Sequence, residues 1–161
     1  MTGSTGEVSV PQDVKERLTT LSRELSGATV LFHAQVAEKV GLSPTDHKCL
    51  DLALRADQPL TAGQIAERSG LSTGAVTGVI DRLERAGYVR RVRDPHDRRK
   101  VLVAVTKSNL AAYGDAFDGL QQALDRALVD FTADEIKVIE RYITEMIGVL
   151  QTETQRLATR H

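Results

Sequence analysis

Apolar residues recur at helical spacing in two long stretches near the ends of this chain, and in a shorter, more broken pattern between them. Val14, Leu18, Leu21, Leu25, Ala28 and Phe32 follow one another at steps of four and three, with Arg17, Arg23 and Glu24 off the stripe. That periodicity predicts one helix opening at Pro11, running to about Val40 and stopping at Gly41. Such a helix, about 28 residues and about 42 Å long, exceeds what a compact domain of this size needs and calls for a partner helix. Ser43-Pro44-Thr45-Asp46 predicts a second helix, with Ser43 as cap and Pro44 in the first turn, carried by Leu50, Leu52, Ala53 and Leu54 to about Ala56. Beyond Thr106 the helical pattern returns in Leu110, Tyr113, Phe117, Leu120, Leu124 and Leu128, where Gly114 and Gly119 allow a bend. Thr132 with Glu135 then caps a last helix bearing Ile136, Ile139, Ile143, Met146, Leu150 and Leu157.

Between these stripes, Leu60 to Thr106 reads as helix, tight turn, helix and hairpin. Thr61 with Gln64 is a capping box, Gly70 is a helix stop, and Ser72 is a fresh N-cap only two residues later. A turn that short makes two helices cross steeply, as in a helix-turn-helix. The second helix, Thr73 to about Ala86, has two faces. Val76, Val79, Ile80 and Leu83 are expected to bury against the first helix through Ile65 and Leu71. Thr73, Gly74, Thr77, Gly78, Asp81, Arg82 and Arg85 take the opposite face. Glycine in a helix interior costs roughly 1 kcal/mol relative to alanine, so two on one exposed face are either tolerated surface residues or make room for another surface. A DNA major groove is such a surface. After Gly87, Tyr88 to Arg93 reads as a strand, Asp94-Pro95-His96-Asp97 as a turn, and Lys100 to Val105 as the returning strand.

Charge sharpens this picture. From Arg82 to Lys100 there are eight Arg or Lys residues against three acids, on a chain whose net charge is −1. Positive charge is therefore concentrated on the hairpin and the helix before it, which suits a phosphate-binding surface better than an ordinary solvated charge run. Apolar and charged fractions of 41% and 27% are those of a soluble globular protein. No apolar run approaches the roughly 18 residues of a membrane span, so no membrane partner is expected. The N-terminus lacks the regions of a signal peptide, and a single cysteine cannot form an internal disulfide; a cytoplasmic location is expected.

GLSTGAVTGVIDRLERAGYVRR resembles the recognition helix and first wing strand of the MarR family of bacterial transcriptional regulators. DPHDRRKVLVAVT resembles that family's wing, including its Asp-x-Arg motif, here Asp97 and Arg99. The resemblance implies a mainly α fold with a small β-hairpin wing, a winged helix-turn-helix flanked by long N- and C-terminal dimerisation helices. Residues 1–10, rich in Gly, Ser and Thr, are expected to be disordered. Residues 11–42 are then the N-terminal dimerisation helix, 43–106 the DNA-binding module and 107–161 the C-terminal dimerisation helices. The apolar stripes support a homodimer independently, since a module of this size cannot bury both; an intramolecular helical bundle is the alternative.

The reading is a sequence-specific regulator of double-stranded DNA, a repressor at a palindromic operator. Ser72, Thr73, Gly74, Thr77 and Gly78 are expected to enter the groove, where a threonine methyl can meet a thymine methyl. Arg82, Arg85, Arg91 and Arg98 suit phosphates, and Asp97 is close enough to Arg99 to direct it toward the minor groove. The alternative is a winged-helix module that binds acidic protein rather than DNA. The resemblance also implies a small phenolic or lipophilic effector in a cleft faced by Phe32, His33 and His47. No phosphate loop, nucleophile elbow or paired-histidine motif is present, so no enzyme activity and no cofactor are expected. His33, His47, Cys49 and His96 lack metal-ligand spacing. Cys49 falls among apolar residues and reads as an inert thiol, away from the helix start where some family members sense peroxides.

Overall fold

A computed structural model describes residues 9–106 and 110–158. The segment read as disordered, residues 1–10, lies outside the described residues apart from Ser9 and Val10. In chain order the elements are α1 (Gln12–Lys39), α2 (Pro44–Leu54), β1 (Leu60–Thr61), α3 (Ala62–Ser69), α4 (Thr73–Arg85), β2 (Val89–Arg93), β3 (Val101–Val105), α5 (Ala111–Leu128) and α6 (Ala133–Ala158). The chain divides into two compact units, one ending at Asp115 and the other beginning at Ala116.

The first unit is a winged helix built around α2, which packs on α1, α3 and α4. Leu50, Ile65, Val76, Val79, Ile80 and Leu83 are essentially inaccessible and form its core. Each such side chain contributes roughly 1.5–3 kcal/mol by leaving water. Leu71, expected in the same contact, is only half-buried. The expected local signals cap α2, α3 and α4. Ser43 Oγ accepts the Asp46 N–H to cap α2, and Thr61 and Gln64 complete a reciprocal capping box on α3. Gly70 ends α3 at φ 72°, a left-handed conformation that favours glycine, and Ser72 caps α4 two residues later. Lys48 Nζ on α2 donates to the Ser69 carbonyl at 2.9 Å, satisfying an open carbonyl at the end of α3 and holding the turn against α2.

The wing corrects the two-stranded expectation: it is a three-stranded antiparallel sheet in the order β1-β3-β2. Val103 lies opposite both Leu60 and Arg91, and Leu60, Val89 and Val103 are all buried. Two residues are too short to show strand alternation. The extended backbone that Thr61 needs as a helix cap (φ −77°, ψ 159°) also lets it pair with Leu102. The Tyr88 hydroxyl donates to the Val40 carbonyl at 3.0 Å, tying the root of the wing to the end of α1.

α5 runs through Gly114 and Gly119 without a break and ends at Leu128, three residues before the expected Phe131. In the second unit, Thr132 and Glu135 form the expected capping box on α6. None of the described residues of α6 is buried, and Ile143, Ile147 and Leu150 are about half exposed or more. In the first unit, Val14, Leu18, Leu21 and Leu25 of α1 are exposed as well. No described helix is long and apolar enough to cross a membrane.

Candidate nucleic-acid interface

Helix α4 is the centre of the site. Its inner face is closed by Val76, Val79, Ile80 and Leu83, while Ser72, Thr73, Gly74 and Thr77 are exposed and Gly78 half-exposed. A Cβ built on Gly74 meets nothing within 4 Å, and one on Gly78 meets only Arg82 Nη1 at 3.5 Å, an ordinary contact. Among the described residues nothing therefore requires glycine at either position. Ser72 Oγ accepts the Ala75 N–H as the cap, and the Thr77 hydroxyl donates back to the Thr73 carbonyl at 2.9 Å. Toward an incoming surface Thr77 thus offers a lone pair and a methyl rather than a donor.

The arginines around this strip are held in place by acids, which charge counting does not reveal. Arg82 Nε lies 3.1 Å from both oxygens of Asp46, and its Nη2 lies 2.7 Å from Oδ1. The Asp46 side chain is only 6% exposed, whereas that of Arg82 is 49% exposed. Burial alone would raise the Asp46 pKa; the hydrogen bonds from Arg82 and Ser43 outweigh it and hold the carboxyl below its ordinary value. Arg91 is tied more completely. Its backbone N–H and Nη1 both donate to Glu84, and its Nη2 donates to Asp81, so it clamps β2 to α4. These bonds keep Glu84 below the usual carboxylate range. Arg91, expected at a phosphate, thus has both terminal nitrogens bonded to acids of α4 while its side chain stays partly exposed. Arg85 Nε donates to the Asp81 carbonyl and its side chain is exposed.

At the wing tip, Asp94 accepts the N–H groups of His96 and Asp97, which form the turn and lower the Asp94 pKa. Asp97 Oδ1 accepts both the Arg99 N–H at 3.0 Å and Arg99 Nε at 3.3 Å. The expected pairing is present, and the Arg99 side chain remains 92% exposed. Arg98 is exposed beside it. An outward arginine at a turn, beside a groove-sized helix with a bare face, can lie along a nucleic-acid backbone or in its minor groove.

The sequence profile of the MarR family matches residues 42–101, the span from α2 to the start of β3. The HTH-type transcriptional regulator YcgE of Bacillus subtilis (strain 168) is 38% identical over 137 residues, covering 85% of this chain and 88% of that protein. The chain belongs to the MarR family. It is thus a DNA-binding winged helix-turn-helix transcriptional regulator, of a class whose members are not enzymes. Solved structures agree on the fold. A MarR family protein from Bacillus stearothermophilus superposes with a TM-score of 0.68 at 22% identity, covering 89% of this chain and 99% of its own. CouR from Rhodococcus jostii RHA1, solved with p-coumaroyl-CoA bound, superposes with a TM-score of 0.61 at 22% identity, covering 84% and 95%.

Away from the α4 face, a cavity of about 450 Å³ lies between α1 and α2. Of the three residues expected at a ligand cleft, His33 and His47 line it. Their Nδ1 and Nε2 atoms meet at 2.8 Å, one donating and the other accepting. Phe32 is not among the lining residues; it packs edge-on against His33 with ring centroids 5.7 Å apart. Val30, Ala34, Pro44, Lys48 and Asp51 are also in its wall, which is largely apolar with a few polar groups. Asp51 accepts from the Tyr113 hydroxyl at 3.2 Å, and the Tyr113 ring lies 5.5 Å from that of His47. Burial and then the neighbouring His33 push the His47 pKa down. Cys49 is buried and its pKa is raised, first by burial, so it stays a thiol rather than the reactive thiolate.

Sequence reasoning missed Asp46, Asp81 and Glu84 as partners of the interface arginines. Asp81 was visible on the right face of α4, and Glu84 lies one turn further along. Asp46 carried no such signal, because its partner is 36 residues away.

Proposed function

We propose that this regulator acts as a cytoplasmic homodimeric repressor that binds a palindromic operator in double-stranded DNA and releases it when a small effector binds. The observation that carries DNA reading is the bare strip of α4. Thr73, Gly74, Thr77 and Gly78 lie opposite a fully buried face, at the start of the second helix of a helix-turn-helix, where base edges are read. Arg82, Arg85 and Arg98 meet backbone phosphates, and Arg99, directed by Asp97, enters the minor groove. Arg91 serves the same surface indirectly, by fixing the wing to α4. Dimerisation is supported by the exposed apolar residues of α1 and α6, which a second copy would cover, and a two-fold dimer suits a palindrome.

The effector belongs to the phenolic or lipophilic class, in the cavity lined by His33 and His47. Its mixed lining and volume suit a small aromatic molecule, and CouR of the same fold carries a p-coumaroyl thioester. Selection of fragments from random DNA tests the central reading. A single enriched palindrome is expected, with affinity falling steeply as salt rises. Recovery of no preferred sequence would overturn it in favour of a winged-helix module that binds acidic protein.

A further inference from the structure

The contact between Asp46 and Arg82 raises a question that charge alone answers wrongly. Asp46 sits in the first turn of α2, outside the helix-turn-helix, yet its carboxylate reaches the recognition helix and is almost fully buried beneath the guanidinium. It takes the Nε and Nη2 edge of Arg82, leaving the Nη1 donors uncommitted by these bonds and lying over Gly78. Arg82 is nine residues beyond Thr73, so it lies roughly 13 Å further along the helix than the first groove-facing side chain. At that distance from the helix start, the backbone is a nearer target than the bases.

We propose that Asp46 is a positioning residue for DNA recognition: its buried carboxylate holds the Arg82 guanidinium across Gly78, so that the remaining N–H donors meet one backbone phosphate of the operator. This rests on the reading of α4 as the groove helix. A long flexible side chain normally loses rotamer freedom when it binds, at a cost of up to about tenfold in affinity. Asp46 imposes that order before DNA arrives. It also neutralises the charge of Arg82, so the contact works through direction rather than added positive charge. The pair thereby favours the one register in which a phosphate lies along the exposed edge, and gives less to DNA bound in any other register. Asp46 touches no DNA itself.

The two views of this acid differ in sign. If Arg82 acts as a point charge, Asp46→Ala removes a local acid and tightens binding to every DNA. If Asp46 positions Arg82, Asp46→Ala weakens operator binding about tenfold while binding to random-sequence DNA stays level or tightens. A merely structural role would lower both affinities together. The experiment uses the full-length protein and the operator selected above, in wild type, Asp46→Ala, Asp46→Asn and the double variant Asp46→Ala/Arg82→Ala. The double variant leaves no orphaned buried carboxylate, and Asp46→Asn keeps one acceptor for Arg82 should Asp46→Ala fail to fold. Asp46→Asn should show a smaller loss of the same kind, and the double variant should bind the operator no more weakly than a few-fold below Asp46→Ala. Scanning the operator with neutral methylphosphonates should reveal one phosphate that matters to wild type and ceases to matter in the Asp46 variants. Equal or tighter operator binding by the Asp46 variants, or an equal loss on both DNAs, overturns the positioning role. Failure of wild type to prefer any DNA sequence instead removes the reading of α4, a result visible before any variant is made.

Discussion

Replacing Gly78 by alanine should stabilise this protein and weaken its DNA binding, two effects of opposite benefit from one methyl group. The site is in the interior of α4 with ordinary helical geometry, where alanine is preferred to glycine by roughly 0.8–1.0 kcal/mol. The added Cβ meets only the flexible end of Arg82, at 3.5 Å, so little of that gain is lost to strain. A net stabilisation of about 0.5–1 kcal/mol should raise the melting temperature by roughly 1–4 °C, measured at a fixed protomer concentration. Gly74, in the first turn of α4, should gain less from the same change. On DNA the sign reverses. A methyl inserted into a close-packed interface costs typically 1–3 kcal/mol, which is about 5- to 150-fold in operator affinity. Gly78→Leu should abolish specific binding altogether while the helix remains intact. Thermal unfolding and operator titration of the two variants read both halves. A variant that is more stable and binds the operator as well as wild type would show that the groove is read by another face, and the argument from the bare strip would fail.

At the wing, Asp97→Ala should weaken operator binding by roughly 0.5–1 kcal/mol, the scale of an exposed ion pair, although it removes an acid from a DNA-facing turn. Arg99→Ala should cost more, and the double variant no more than Arg99→Ala alone; tighter binding by Asp97→Ala refutes the pairing. Replacing Ile143 and Leu150 together by glutamate should give monomer or unfolded chain in sedimentation, because an interface that buries unpaired charge is strongly penalised. A folded dimer of that variant would place the interface elsewhere. His47 predicts a pH effect on stability. Burial, and then His33, lowers its folded pKa below the ordinary value of 6.5, so the unfolded chain takes up the proton more readily. The stability from neutral His47 is complete above about pH 6.5 and is lost as pH falls from there through the folded pKa. Urea midpoints should therefore drop between pH 7.5 and 5.5, and His47→Gln should flatten that drop; an unchanged slope in the variant removes His47 as its source.

Interactions within three or four residues were legible along the chain. The capping boxes at Thr61–Gln64 and Thr132–Glu135, the cap at Ser72 and the stop at Gly70 arose as expected, because each is a short-range hydrogen bond or backbone conformation. The two faces of α4 followed from period alone. So did the local pairing of Asp97 with Arg99. The wing's third strand did not, since two residues carry no alternation and only the arrival of β3 makes Leu60 a strand. Nor did the assignments of the arginines. Arg82 and Arg91 look alike as charges on a basic segment, but packing sets Asp46 beneath the first and places Asp81 and Glu84 around the second. Lys48 on Ser69 and His33 against His47 are likewise contacts between helices. Composition and periodicity determined which faces would be buried and where positive charge would gather. The tertiary structure alone decided which acid meets which arginine, because a side chain's partner across tens of residues depends on how the helices cross, and no local spacing records that.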